Sequence, residues 1–318
     1  MKVSEERDYI TAKAGAAYDL LEKAIRSEVT EAVNAKGRPD PKELAGVVVL
    51  FSGGNDSTTL AHMFRNRATH AGHANTGVGI EQTREYVRNV CASWELPLLE
   101  YSPRPGESYE DLVLGRCVAR TGPNKGTLRW PGGFPGPGAH FMMFQLLKER
   151  AIETMRNEVV GNPRKRRVIF LAGRRADESA RRSGLELKGP VERRGSAVYV
   201  SPLLDWTKAD LNMYRRVHSD VPVNEVSDLL HMSGECLCGA FAHQGELDEI
   251  RDWYPEAAEY LDDLGQRALT AGMDPDHCTW GWGWDELLKK ALKGKMPKTG
   301  LACDSCASRV LEASGYET

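Results

Sequence analysis

The feature that most constrains this fold is the stretch GVVVLFSGGNDSTTL at residues 46–60. Its first half, GVVVLF, is a continuous apolar run of strand length, which is typical of a strand buried on both faces of a parallel sheet. Its second half turns through Ser52, Gly53 and Gly54 and enters a helical pattern. Such a turn lies at the carboxyl edge of a parallel sheet, where α/β proteins bind ligands. The stretch therefore predicts an α/β fold with a ligand loop after this strand.

The rest of the chain repeats this alternation. Further strand candidates are residues 96–101, 167–172 and 197–201, and helical patterns cover residues 4–33, 57–68, 81–94 and 140–157. Strands that alternate with helices predict a parallel sheet with helices on both faces. The Gly/Pro-rich stretch at 121–138 is expected to be a loop that serves as a lid or a binding loop or is disordered. We predict an N-terminal helix over 1–40, the α/β domain over 41–230, and a small Cys-containing unit over 231–318.

Composition narrows the class of protein. A chain of 318 residues, 41% of them hydrophobic, can bury a full core. No apolar run is long enough for a bilayer-spanning helix, and MKVSEERDYI carries acids where a secretory signal needs a basic and then an apolar stretch. We therefore expect a cytoplasmic protein with no membrane partner. Its seven cysteines are then expected to serve metal binding or chemistry more than disulfides.

The glycine turn has the chemistry of a phosphate site. Gly53 and Gly54 let backbone N–H groups approach a ligand, and the helix start adds free N–H donors and its positive dipole end. The hydroxyls of Ser52, Ser57 and Thr58 are further donors. The Gly-Lys-Ser/Thr ending of the Walker loop is absent, so the chemistry need not be cleavage between the β and γ phosphates. A simple helix N-cap would explain part of this run, but not all of it.

Two further regions suit anionic partners. Residues 161–195 carry many more basic than acidic side chains, which indicates attraction for phosphates, with a solvated surface as the alternative. The Gly/Pro-rich stretch contains Arg129, Trp130 and Phe134, which suit the phosphates and base faces of a nucleic acid. A nucleic acid is therefore a candidate partner.

Four stretches, in order along the chain, resemble one protein family. SGGNDS resembles the Ser-Gly-Gly-x-Asp-Ser signature of the PP-loop ATP pyrophosphatases. ANTGVGIEQTREYV at 74–87, AGRRADESARR at 172–182 and SPLLDWTKADLNMY at 201–214 are similar to segments of their phosphoadenosine phosphosulfate (PAPS) reductase branch. Glu81 and Gln82 stand where that branch usually has Pro-Glu. The resemblance implies an adenine nucleotide site for ATP or a sulfonucleotide, with Mg²⁺.

The resemblance also implies roles for single residues. The phosphates would be bound by Ser52, Gly53, Gly54, Asp56, Ser57 and Thr58, with Thr76 and Gly77 near the nucleotide. Arg174 and Arg182 would meet the anionic groups, with Glu178 orienting them. The catalytic set would be Asp56, Ser57, Arg174, Glu178 and Arg182. Guanidinium forks suit a developing pyrophosphate charge, although RRADESARR alone is equally typical of a surface helix with paired charges.

The cysteines form two close pairs and one single residue. ECLCG supplies Cys236 and Cys238, CDSC supplies Cys303 and Cys306, and Cys278 lies between the pairs. A four-thiolate set suits zinc or an iron–sulfur cluster, and an unligated redox pair is the alternative. Cys91 and Cys117 are expected to be ordinary buried or surface residues.

The resemblance favours iron over zinc as the metal. Adenylylsulfate reductases and the sulfur-activating subunits of DNA phosphorothioation systems, which this chain resembles, carry 4Fe–4S clusters beside the same fold. The cluster-containing reductases have a Cys-Cys pair where this chain has HFMMFQLLKER at 140–150. They also end in a Glu-Cys-Gly segment that this C-terminus lacks.

Three functions are compatible with these features. The first is an ATP pyrophosphatase that adenylates an acceptor such as DNA, tRNA or a small metabolite, so that sulfur from a donor protein can displace AMP. The second is reduction of adenylylsulfate or phosphoadenylylsulfate to sulfite with thioredoxin, which needs a nucleophilic cysteine among Cys278, Cys303 and Cys306. The third is a non-catalytic nucleotide-binding subunit.

Overall fold

A six-stranded sheet forms the centre of the fold in this computed structural model, which describes residues 3–176, 189–242 and 245–283. The strands are β1 (Glu43–Leu50), β2 (His70–Ala74), β3 (Leu98–Tyr101), β4 (Arg166–Leu171), β5 (Val191–Arg194) and β6 (Ala197–Val200). Their spatial order is β3-β2-β1-β4-β6-β5. β1 is parallel to both β2 and β4, β4 is parallel to β6, and β5 is antiparallel to β6. The predicted α/β fold is confirmed, with one antiparallel edge strand.

Helices connect these strands. They are α1 (Val3–Ile25), α2 (Asn55–Phe64), α3 (Glu81–Ser93), α4 (Tyr109–Val113), α5 (His140–Phe144), α6 (Arg150–Val160), α7 (Lys208–Val217), α8 (Glu225–Leu229), α9 (Glu246–Trp253) and α10 (Pro255–Thr270). Wide π-type turns over Arg26–Thr30 and Gln145–Glu149 interrupt the helices predicted at 4–33 and 140–157. Among the described residues, every helix is too short or too polar to cross a bilayer.

The run GVVVLF forms the central strand, as the sequence predicts. Val47, Val49 and Phe51 are buried with Leu60 and Phe64 of α2 in one hydrophobic core. The register pairs Val49 with Ala71 on one side and with Leu171 on the other. Because neighbouring strands and helices cover it on all sides, β1 can be apolar along most of its length.

Two strands lack the apolar pattern by which the other strands are predicted. β2 reads HAGHA and contains no β-branched residue, and its Gly72 is required by close packing, since a Cβ there would lie 2.9 Å from Met155 Sδ. β5 reads VERR, and its charged side chains suit an edge strand that pairs on one side. In both cases tertiary context decides the conformation more than local propensity does.

The chain divides into two compact units whose segments interleave. The first unit comprises Met1–His73, Glu85–Glu100 and Ile152–Ser227, and the second comprises Ala74–Arg84, Tyr101–Ala151 and Asp228–Thr318. The boundaries expected near residues 40 and 230 differ from this division. Helix α1 belongs to the first unit because its apolar face, including Ile10 and Leu21, is buried in that unit's core. The Gly/Pro-rich stretch belongs to the second unit together with the C-terminal part of the chain.

Candidate phosphate site and cysteine loop

The strand order brings two of the predicted motifs together in the first unit. From β1 the chain proceeds to β2 and β3 on one side and then returns to β4 on the other side of β1. The loops that follow β1 and β4 leave the same edge of the sheet, because the two strands are parallel. A reversal of strand order at that edge opens the crevice in which such sheets bind ligands. SGGNDS follows β1 and AGRRA follows β4.

Gly173 shows how closely these loops approach. A Cβ at Gly173 would lie 3.3 Å from both the carbonyl carbon of Asp56 and the backbone nitrogen of Ser57. That is tighter than nearly all observed Cβ contacts, so glycine permits the loop after β4 to lie against the start of α2. Gly173, which precedes the two arginines, therefore allows the loop after β4 to pass close to the SGGNDS segment that follows β1.

Hydrogen bonds hold the loop after β1 in one conformation. Gly53 has φ +80°, a conformation that favours glycine. Its carbonyl oxygen accepts a buried hydrogen bond of 2.9 Å from Asn224 Nδ2. The Ser57 hydroxyl donates to the Gly54 carbonyl oxygen at 2.9 Å and lies 3.1 Å from the Ser52 hydroxyl. The predicted donors Ser52 and Ser57 thus make hydrogen bonds within the loop itself, which hold it in this conformation.

The start of α2 has the features of an anion site. Its N-cap is Gly54, which makes no side-chain cap hydrogen bond. The first N–H groups of a helix have no partner inside the helix, and the helix dipole places partial positive charge there. Because a side-chain cap would compete for these donors, a glycine N-cap suits the binding of phosphate oxygens.

Arginines surround the same helix start. Arg175 Nε donates to Asp56 Oδ2 at 2.9 Å, and Arg215 Nη1 donates to Asn55 Oδ1 at 3.0 Å. Arg174 is also buried, and its Nε donates to Ser201 Oγ at 2.9 Å. The sequence predicts Arg174 as a site residue, whereas the contacts of Arg175 and Arg215 with this helix start were not predicted. The adjacent arginines were a signal for Arg175, whereas Arg215, which lies far along the chain, gave none.

Thr58, which the sequence predicts as a phosphate donor, is packed in the interior of the first unit. Its side chain is buried, and its hydroxyl lies 3.2 Å from the Tyr86 hydroxyl. Of the other predicted site residues, Glu178, Arg182, Cys303 and Cys306 lie outside the described residues.

Thr76 and Gly77 lie in the second unit, where they secure a different segment. The Thr76 backbone N–H donates to Glu235 Oε1 at 2.8 Å, and its hydroxyl donates to the Glu235 carbonyl oxygen. Gly77 has φ +75°, and its N–H donates to Asn75 Oδ1 at 3.0 Å. A Cβ at Gly79 would lie 2.5 Å from the Glu235 carbonyl oxygen. The Asn-Thr-Gly segment therefore fixes the loop that carries the first cysteine pair.

That loop is held from several directions. The Leu237 backbone N–H donates to the Val78 carbonyl oxygen at 3.2 Å. The Tyr109 hydroxyl donates to the Cys238 carbonyl oxygen at 2.9 Å, and Trp280 Nε1 donates to the Leu237 carbonyl oxygen at 2.8 Å. A Cβ at Gly239 would lie 2.7 Å from Trp280 Nε1. The Cys-x-Cys backbone is thus rigid.

The thiols of this loop face a small recess. It is lined by His140, Met143, Phe144 and Lys148 of the helical segment at 140–149, together with Cys236 and Cys238. A hydrogen bond from the Cys238 side chain lowers the pKa of the Cys236 thiol, and the positive charge of Lys148 contributes to that shift against the effect of burial. The helical segment at 140–149 therefore lies beside the cysteine pair, with Met143 and Phe144 in the lining of the recess.

Two of the predicted metal ligands lie on one loop of the described residues. Cys236 and Cys238 present two thiols from one rigid loop, which fits half of a four-thiolate set. Within the described ranges, no group of three or more His, Cys, Asp or Glu side chains is arranged to hold a metal ion. The Cys278 thiol donates to the Asp274 carbonyl oxygen at 3.2 Å, and burial raises its pKa. The structure thus brings Cys236 and Cys238 together and does not group Cys278 with them.

The other cysteines match the expectation of ordinary residues. Cys91 and Cys117 are both buried. Burial raises the pKa of Cys91 to about 12 and also raises the pKa of Cys117. A buried thiol with a raised pKa is chemically inert.

Some arginines of the basic segment at 161–195 are paired with acids from elsewhere in the first unit. Arg167 is buried against Asp40, and Arg193 lies 3.3 Å from Glu28. The Gly/Pro-rich stretch also differs from expectation, because Phe134 is buried and the Trp130 indole N–H donates to the Gly133 carbonyl oxygen at 2.8 Å. The stacking surface predicted for Phe134 is therefore wrong.

No protein-family model and no curated protein sequence matches the chain. Several solved structures are similar to it. A PAPS reductase from Candida auris in a phosphate complex has 18% identity, with 67% of this chain and 84% of that chain covered and a TM-score of 0.41. An FMN adenylyltransferase from Candida glabrata with FAD and inorganic pyrophosphate has 14% identity, coverage of 71% and 67%, and a TM-score of 0.40. The U34-tRNA thiolase NcsA from Methanococcus maripaludis, with its 4Fe–4S cluster, has 11% identity, coverage of 95% and 88%, and a TM-score of 0.40.

Proposed function

We propose that this chain is an adenine nucleotide-dependent enzyme that cleaves ATP between its α and β phosphates. An acceptor hydroxyl attacks the α phosphorus, pyrophosphate leaves, and the hydroxyl proton passes to solvent. A sulfur nucleophile then displaces AMP from the adenylated acceptor. The observation that carries this proposal is the meeting of SGGNDS and AGRRA at the reversal of strand order, with the Arg175 to Asp56 ion pair between them.

The residues at this edge divide the work of phosphate binding. Backbone N–H groups at the start of α2 would hold phosphate oxygens. Arg174 and Arg175 would stabilise the negative charge that develops on the departing pyrophosphate. Asp56 orients Arg175 at 2.9 Å and supplies a carboxylate of the kind that binds Mg²⁺. The missing Walker lysine agrees with a reaction at the α phosphorus, since that lysine serves the β and γ phosphates.

The sulfur half of the reaction is assigned to the cysteines. Cys236 and Cys238 would hold one half of a 4Fe–4S cluster, with Cys303 and Cys306 as the other half. A bound cluster would supply a site for sulfur or for electrons. Lys148, which lines the recess beside the pair, would balance the negative charge of the ligating thiolates. A sulfur donor protein would be the partner of this step.

Reduction of a sulfonucleotide is the alternative reaction. Reduction needs a nucleophilic thiolate, and Cys278 is the candidate that the described residues include. Burial raises the pKa of Cys278, and its thiol donates to a backbone carbonyl, so it is a weak nucleophile at neutral pH. Sulfite release from adenylylsulfate with thioredoxin would support that alternative.

The proposal is tested by the products formed from ATP and Mg²⁺ with DNA, tRNA and small hydroxyl acceptors after anaerobic purification. We expect pyrophosphate and an adenylated acceptor, with AMP released once a sulfide source is added, and loss of this turnover in Asp56→Asn and in Ser57→Ala. Circular dichroism and the melting temperature establish whether each variant is folded. Release of phosphate alone, or wild-type turnover in either variant, would contradict the proposal. Nucleotide binding without turnover in the presence of every acceptor would indicate a non-catalytic subunit.

A further inference from the structure

A projecting β-hairpin in the second unit has the charge pattern of an anion-binding element. Cys117 and Ala119 pair with the returning chain, since the Ala119 N–H donates to the Thr127 carbonyl oxygen and the Arg129 N–H to the Cys117 carbonyl oxygen, each at 2.8 Å. Val118 and Leu128 form an antiparallel bridge between these bonds. We call residues 116–129 the basic hairpin.

The two faces of the basic hairpin differ in chemistry. Cys117 and Ala119 point inward and are buried. Arg116, Val118 and Arg120 alternate with them and are exposed, as expected for the opposite face of a strand. Leu128, directly across from Val118, is 53% exposed. The outer face therefore combines cations with two exposed aliphatic side chains.

Acidic residues are absent from this part of the sequence. Between Asp111 and Glu149 the chain contains no Asp or Glu, whereas the hairpin carries Arg116, Arg120, Lys125 and Arg129. Arg120 is held at the base, with its guanidinium bonded to the Pro105 carbonyl oxygen and 4.0 Å from Glu107. Neither Arg116 nor Lys125 is in an ion pair with any described residue. Their charge is available to a partner, unlike that of the paired arginines in the segment at 161–195.

The base of the basic hairpin is rigid. The Gly133 N–H donates to the Val113 carbonyl oxygen at 2.7 Å, and the Phe134 N–H donates to the His277 carbonyl oxygen at 2.7 Å. A Cβ at Gly132 would lie 1.8 Å from Met273 Sδ, so the glycine permits close packing there. The exposed, basic outer face is therefore carried on a closely packed base.

We propose that the basic hairpin binds the sugar–phosphate backbone of a nucleic acid strand. Lysine and arginine side chains supply most of the sequence-independent affinity for such a backbone. Val118 and Leu128 provide an apolar surface between the cations, which suits the sugars and unstacked bases of a single strand. The inference deepens the proposed function, and rests on it in one respect, because the bound strand would be the acceptor. The binding itself needs no nucleotide chemistry.

The test compares Arg116→Ala/Lys125→Ala with a matched control, Lys36→Ala/Arg38→Ala, which removes two exposed cations from a loop of the first unit. Fluorescence anisotropy with labelled single strands and duplexes of several sequences gives Kd over a range of salt concentrations, without ATP. The slope of log K against log salt is negative, and each lost phosphate contact on a single strand should decrease its magnitude by about 0.7. The hairpin variant, which lacks two cations, should therefore have a slope that is smaller in magnitude by about 1.4. The control should match the wild type, and the weakening should be similar for all sequences.

Equal affinity and equal salt slope in the hairpin variant and the control would overturn the inference. So would binding to phosphatidylserine vesicles with none to DNA or RNA strands, which would indicate a membrane surface instead. Asp56→Asn should bind the strands as the wild type does. Failure of strand binding is therefore distinguishable from failure of the ATP reaction.

Discussion

At the scale of single residues, two adjacent arginines have different tasks. Arg175 pairs with Asp56 at the start of α2, whereas Arg174 donates to the buried Ser201 hydroxyl. The motif directs attention to Arg174, but it cannot say which side chain meets the loop after β1. That depends on how Gly173 allows the chain to pass α2, and only the packed structure shows this. Arg175 is thus bound to Asp56, and we propose that Arg174 meets the substrate charge.

Arg174→Ala should lower kcat far more than it weakens ATP binding. The reason is that a guanidinium aimed at the departing pyrophosphate stabilises charge that is greatest in the transition state. Loss of one such preorganised donor typically lowers kcat by about 100-fold or more. Ser201→Ala, which leaves the guanidinium but removes its 2.9 Å hydrogen bond, should give a smaller loss. Steady-state kinetics and equilibrium ATP binding separate the two effects, and equal losses in both would identify Arg174 as a simple anchor.

At the scale of elements, the strand, loop and helix that carry the site were predictable, and two neighbouring strands were not. GVVVLF is apolar, continuous and followed by a glycine turn, so each local signal agrees with the final structure. β2 and β5 lack such signals, because HAGHA forms a strand beside β1 and VERR forms one along β6. The crevice depends on the spatial order of β2, β1 and β4. The sequence therefore shows the two motifs, but it does not show that they lie beside each other in the fold.

The contact between α2 and α7 contains a buried histidine that should make stability depend on pH. His62 is 3% exposed, with Nδ1 3.0 Å from the Tyr214 hydroxyl and Nε2 3.1 Å from Asp220 Oδ2. Burial lowers the pKa of His62 although Asp220 opposes the shift, and burial also lowers the pKa of His218 nearby. The folded state therefore takes up these protons less readily than the unfolded state.

The lowered pKa values of His62 and His218 make the folded state less stable at acidic pH than at neutral pH. Above the unfolded pKa of about 6.5, both states are neutral at these sites and stability is complete. As pH falls below that value, the unfolded state gains protons first and the free energy of unfolding decreases. We expect a lower melting temperature at pH 5.5 than at pH 7.5, and a smaller difference in His62→Gln. An equal decrease in the variant and the wild type would show that other groups cause the effect.

At the scale of the whole molecule, the sequence indicates the strand, helix or loop conformation of many segments, but not which segments pack together in one unit. The Gly/Pro-rich stretch at 121–138, for which the sequence predicts a lid, a binding loop or disorder, includes the returning half of the basic hairpin. Its second half, however, packs inside the second unit, where Phe134 is buried and its N–H bonds to the His277 carbonyl oxygen. Contacts between residues so distant in sequence leave no periodic signal, which is why the interleaved units could not be predicted.

The two cysteine pairs predict an iron content that can be measured. If Cys236, Cys238, Cys303 and Cys306 hold a 4Fe–4S cluster, protein purified without oxygen should be brown and contain about four irons per chain. Cys236→Ser and Cys306→Ser should lose the iron, because each removes a thiolate ligand. Cys278→Ser should keep it, since the Cys278 thiol donates to Asp274 and is not grouped with Cys236 and Cys238. Cys91→Ala, in the core of the first unit, is the matched control.

Metal analysis and the visible spectrum check this outcome, and the melting temperature adds a second readout. Metal binding by a folded protein stabilises it, so the iron-free variants should melt at lower temperature than the Cys278→Ser protein. A colourless protein with one zinc per chain would keep the four-thiolate site and exclude the cluster. A metal-free wild type in which Cys236 and Cys238 are freely alkylated would instead assign them to redox chemistry, because two thiols on one rigid loop beside Lys148 then have no metal to hold.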